Sequence, residues 1–233
     1  MKIDIALETM KNDDYFKAVE YLSRQSNPLE ILDAFKEIAK RLYWESKDMA
    51  GVIIFSGAAI QFAQMSVQSV SEKEDEVRQM KEKAAAIAYN LASFTWPGWN
   101  KEGIVISITE QNIGIEAAKT NLRFIEEMGG DNLQLARAYW MTGAHRLTLH
   151  NADEAIYCFE RSLKYADWAD NREETLLAQG YMILAQMLQS EKVDAQDLEL
   201  LENLKTKMFE LPDGDAFVGQ IETTYDVVFG SPE

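Results

Sequence analysis

Apolar residues recur along this chain at spacings of three and four, and no alternating apolar and polar run of strand length stands among them. Ile31, Leu32, Phe35, Ile38, Ala39 and Leu42 mark one face of a helix predicted over 28–44. Asn27-Pro28 opens it, since a proline in the first turn forfeits no helical hydrogen bond. The polar joint Glu45-Ser46-Lys47 leads into a strongly apolar helix over 48–70, and these two are expected to pair as a hairpin. Upstream, Tyr15, Ala18, Val19 and Leu22 share a face behind the capping side chains of Asn12-Asp13-Asp14, which places helices within 3–25. Downstream, a charged and then Ala-rich helix is predicted over 74–95, where Ala84, Ala85, Ala86, Ala88 and Ala92 let neighbours approach closely.

Pro97-Gly98 breaks that run, and Ile104, Ile108, Ile115, Ala118, Leu122 and Ile125 stripe a helix predicted over 101–128, ended by Gly129-Gly130. Further helices follow over 136–149, 152–166, 172–189 and 195–210. The turn Leu211-Pro212-Asp213-Gly214 then sends the chain into a last helix over 215–228. The pairs are assigned as 28–70, 77–128, 133–168 and 172–210, too unevenly spaced for a strict repeat but suited to a degenerate helical array.

The best-formed pair is the central one. Small residues stand where its helices must meet, Gly143 and Ala144 on the first and Ala155 and Ser162 on the second, with Tyr139, Leu147, Phe159 and Leu163 between them. Tyr139, Gly143, Ala155, Phe159 and Ser162 occupy the spaced positions of a tetratricopeptide repeat, and the hairpin resembles that family. Thr142, Arg146 and Asp167 depart from it, standing where Leu, Tyr and a closing Pro are usual. Ala18 and Leu22 are similar to the second half of another such repeat.

The resemblance implies an all-α fold, a right-handed superhelical array of antiparallel helix pairs in a single domain spanning 1–233, with about ten helices. It also implies a concave face made by the first helix of each pair. By position, that face carries Arg137, Trp140, Ala144 and Thr148 from the central pair and Glu174, Leu177 and Tyr181 from the next. Some family members grip a C-terminal carboxylate with Lys and Asn on this face. Trp140 and Ala144 stand in those places here, which argues against that ligand.

Composition narrows the partner. The 233 residues are 47% apolar and 27% charged, which reads as a soluble helical protein. The net charge of −16 disfavours a phosphate backbone as ligand. From Asp167 to Glu233 there are 15 acidic and 4 basic residues, a net of −11 that leaves −5 for the rest, so any electrostatic steering favours a basic segment at the C-terminal third. The most apolar stretch, from Val52 to Val70, is interrupted by Ser56, Gln61, Gln64, Ser66 and Gln68, as expected of a buried helix rather than a membrane span. One cysteine, Cys158, and an N-terminus without a secretory pattern suggest a reducing, cytoplasmic setting.

Candidate chemistry is sparse. His145 and His150 are five apart and point in different directions on a helix, with no third ligand at metal spacing. Cys158 beside Phe159 reads as a packed structural thiol. The acidic clusters Asp13-Asp14, Glu72 to Glu76, Glu126-Glu127 and Glu173-Glu174 suit helix starts and solvated faces better than paired catalytic carboxylates. Trp96 and Trp99, flanking a turn, either cap the helical core or form an exposed contact. The expectation is a protein or peptide scaffold that uses no cofactor, does not catalyse and binds neither nucleic acid nor membrane. A self-associating structural subunit, or a small-molecule sensor or enzyme with an interhelical pocket, are the alternatives.

Overall fold

The computed structural model describes residues 2–11, 14–69, 74–190 and 193–230, and every regular element in them is helical. Asn12, Asp13, Val70 and Glu72, which enter the expectations above, lie outside the described residues. The described residues contain eleven α-helices, which fall into two compact units, Met1–Phe94 and Thr95–Glu233. The pair assigned to 77–128 is divided between these units.

The first unit holds α1 (Lys2–Met10), α2 (Tyr15–Ser23), α3 (Pro28–Arg41), α4 (Met49–Ser69) and α5 (Glu74–Phe94). Asn27 caps α3 as its sequence suggests, its side chain accepting from the amides of Leu29 and Glu30. Ile31, Leu32, Phe35, Ile38 and Ala39 then face inward, and α4 packs between α3 and α5. The Phe55 ring of α4 meets Phe35 at 6.0 Å and Tyr15 at 6.5 Å, and the Tyr15 hydroxyl donates to Asp48 at 2.8 Å. After α3 the chain widens into a π-helical turn, Leu42–Ser46, closed by Lys47 in the left-handed region. That turn stacks Tyr43 on Phe94 at 4.1 Å. Among the described residues α4 is the one helix long and apolar enough to cross a membrane, and 33% of its apolar window is buried.

The second unit holds α6 (Ile108–Glu127), α7 (Asn132–Thr148), α8 (Ala152–Trp168), α9 (Arg172–Ser190), α10 (Ala195–Met208) and α11 (Gly214–Phe229), preceded by a 3-10 turn, Pro97–Trp99. Helices that follow one another in sequence pack side by side from α6 to α11. The helix expected from 101 begins instead at Ile108. Ser107 and Glu110 form a capping box there, with Ser107 Oγ accepting from the Glu110 amide and Glu110 accepting from the Ser107 amide. Asn100 and Gly103 have positive φ, so the chain before the box is not helical, and Val105 and Ile108 are left exposed.

Three of these helices form the centre of the unit. Asn151 caps α8 after a turn in which His150 takes a φ of 56°, and α8 folds back along α7. A Cβ built on Gly143 would lie 2.7 Å from Phe159 Cε1 and 3.0 Å from the Cys158 Cβ, so the two helices meet there at glycine distance. Ser162 donates to the Ala136 carbonyl at 2.9 Å across the same seam. α9 then packs on α8 and, more lightly, on α7.

Candidate functional site

The face shared by α7 and α9 carries the side chains expected to form a binding surface, and the chain itself covers it, with Phe159 of α8 5.5 Å from the Tyr181 ring. Trp140 is 4% exposed and Tyr181 is fully buried. Their rings meet edge to face at 5.1 Å. Trp96, 1% exposed, enters from the turn before α6 and meets Trp140 at 5.5 Å and Tyr181 at 6.1 Å. Its indole N–H donates to the Ala144 carbonyl at 3.1 Å. Edge-to-face aromatic contacts of this kind add about 0.5–1.5 kcal/mol to the area they bury.

Over these rings lies α11. Gly180 lets α11 and α10 come close, since a Cβ at that position would stand 2.5 Å from Ile221 Cδ1 of α11 and 3.0 Å from Leu204 Cδ2 of α10. Thr224 Oγ1 donates to the Gln220 carbonyl at 2.8 Å, which commits its single proton. The Tyr181 hydroxyl, 2.9 Å from Thr224 Oγ1, is therefore the donor in that pair, and it accepts from Gln220 Nε2 at 3.1 Å. Burial pushes the Tyr181 phenol well above its ordinary pKa, so it remains a neutral donor. The Trp140 N–H is buried with no acceptor among the described residues.

The remaining expected positions follow the same geometry. Ala144, Thr148 and Leu177 are buried, with the Thr148 hydroxyl bonded back to its own helix. Arg137 and Glu174 are brought together across α7 and α9 as an ion pair at 2.5 Å. Glu174 is held in the first turn of α9, where its amide donates to Asn171. Of the two turn indoles, Trp96 is inside and is not an exposed contact, because its hydrogen bond and three aromatic neighbours lie within the unit. Trp99 is 39% exposed and leans on Trp96 edge to face at 4.9 Å.

Sequence reasoning placed Gly180 inward but did not find Gln220, Ile221 or Thr224 as parts of this face. A signal was present in α11, where Val218, Ile221, Thr224 and Val228 recur at helical spacing and are buried. Its spacing showed that α11 has a partner, but not which surface.

Other chemistry is muted. Among the described residues no group of three or more His, Cys, Asp or Glu could hold a metal ion. Cys158 is buried, and burial pushes its thiol up to about 11, so the reactive thiolate is scarce near neutrality. An alkylating reagent at pH 8 is expected to modify the folded chain at least roughly tenfold more slowly than the urea-unfolded chain. Equal rates would place this sulfur at the surface. No protein-family model matches the chain, and no curated protein matches it.

Proposed function

We propose that the chain is a non-catalytic protein-interaction module whose α7 and α9 face receives a helix. The observation that carries this reading is α11 itself, a helix of the same chain that packs on α7 and α9 and meets Gly180 and Tyr181. A face that takes one helix through β-branched side chains and a tyrosine hydroxyl has the chemistry to take another with the same pattern. The tetratricopeptide resemblance of the central pair supports the reading, because that family uses the corresponding face for protein ligands. A basic partner fits the charge, and a cytoplasmic setting fits the cysteine usage.

Tethering explains why such a face is filled. A helix tethered to its own receptor within one chain, as α11 is through α10, acts at an effective concentration on the order of millimolar. An external helix therefore binds with an affinity reduced by the fraction of molecules in which α11 is away. The test uses a labelled peptide of residues 214–229 added to the full chain and to the variant Val218→Ala/Ile221→Ala, whose own α11 is loosened. The variant, shown folded by circular dichroism, is expected to capture the peptide about tenfold more tightly than the parent. A folded variant that takes up no peptide removes the reading.

A further inference from the structure

A second surface of the same unit is open. Between α10 and α11 lies a cleft of about 380 Å³, with Leu198 and Leu201 on one side and Tyr225, Glu222 and Asp226 on the other. Leu201 is buried, but Leu198 is 42% exposed and gives the cleft an aliphatic edge facing solvent. Lys205 reaches into it from α10, and its ammonium stands 2.7 Å from Glu202 and 3.0 Å from Glu222. Burial pulls this ammonium's pKa down and its bonds to the two carboxylates more than reverse the effect, so the lysine stays charged.

The charges do not balance. Glu202, Glu222 and Asp226 against Lys205 leave the walls at −2, and the one cation is already shared by two acids. The chain from Asp167 onward, with 15 acidic and 4 basic residues, is poor in cations to supply another. An exposed aliphatic edge beside unbalanced carboxylates and a phenol ring is complementary to one kind of surface, an apolar side chain followed by a cation.

We propose, building on the reading of the chain as an interaction module, that this cleft docks a basic amphipathic segment of a partner protein. An aliphatic side chain of the partner rests on Leu198 and Leu201. A neighbouring Lys or Arg extends along the Tyr225 ring to Asp226 and Glu222. The same carboxylates repel nucleic acid, and the aliphatic edge separates this site from the diffuse attraction that any acidic protein exerts on a cation. Because α11 forms one wall, a partner in the cleft also holds α11 on the α7 and α9 face.

The test measures fluorescence anisotropy of a labelled helical peptide of leucine and lysine, with the same peptide carrying glutamate for lysine as its counterpart. The full chain binds the lysine peptide and not the glutamate one. Asp226→Lys weakens binding about tenfold and Leu198→Ser several-fold, whereas Glu160→Lys, an equal change of charge at an exposed position of α8, leaves it within about twofold. All three variants alter surface side chains, and circular dichroism confirms that each stays helical. Equal losses for Asp226→Lys and Glu160→Lys, an unaffected Leu198→Ser, or no binding by the parent overturns the assignment. If the cleft fails while the 214–229 peptide is still captured by the loosened variant, the module reading stands without this partner; if both fail, both are withdrawn.

Discussion

Trp96→Ala is expected to destabilise the second unit by about 4 kcal/mol, read as a lower midpoint in urea followed by circular dichroism. The indole is fully enclosed and packs against both Trp140 and Tyr181, so its removal opens a cavity beside those rings that α7 and α9 would have to close. The Ala144 carbonyl also loses its indole donor and keeps its bonds within α7. Trp96→Phe separates the two contributions. It restores most of the ring volume without the N–H and is expected to cost about 1–2 kcal/mol. A loss below about 1 kcal/mol for the alanine variant would mean that the turn does not enter the unit, and that Trp140 and Tyr181 lack this cover.

The second large effect lies at the seam of α7 and α8. Gly143→Leu is expected to cost about 3 kcal/mol, because the first carbon of any side chain meets the Phe159 ring at 2.7 Å and Phe159 is itself fully buried. Gly143→Ala recovers up to about 1 kcal/mol of helix propensity yet keeps the clash, so a smaller net loss is expected. Gly57 supplies the control. It sits in the middle of α4, where an added Cβ would meet nothing within 4 Å, and Gly57→Ala is expected to stabilise the protein by about 0.5–1 kcal/mol. The same substitution with opposite signs at two helical glycines is a sharp reading of which one marks a contact. Urea midpoints of the three variants check it, and a neutral Gly143→Leu would separate the two helices.

Helix positions were legible because they depend on neighbours a few residues apart. Asn27-Pro28 marked a start, Gly143 with Phe159 and Ser162 marked a seam, and the alanines of α5 marked a buried face. The misplaced start of α6 was legible too. Ser107 and Glu110 spell a capping box, but Ile104, lying in step with the stripe that follows, drew the predicted helix seven residues too early. What periodicity could not express was the cover on the α7 and α9 face. Trp96 and Ala144 are 48 residues apart, and Tyr181 and Thr224 are 43 apart. Pairings over such distances leave no local pattern. Only the fold reveals that Trp96, from a turn of the same unit, stands against Trp140 and Tyr181, and that Thr224 of α11 meets Tyr181.

The meeting of α11 with the Pro97–Trp99 turn joins the opening and closing segments of the second unit. Open repeat arrays fray from their ends, since each terminal helix has a neighbour on one side alone. Here each end is the other's neighbour, and loosening either strips cover from both. Such a ring of contacts discourages partial melting and makes loss of structure a collective event. It also delays completion during synthesis, because the Pro97–Trp99 turn lacks this neighbour until α11 has left the ribosome.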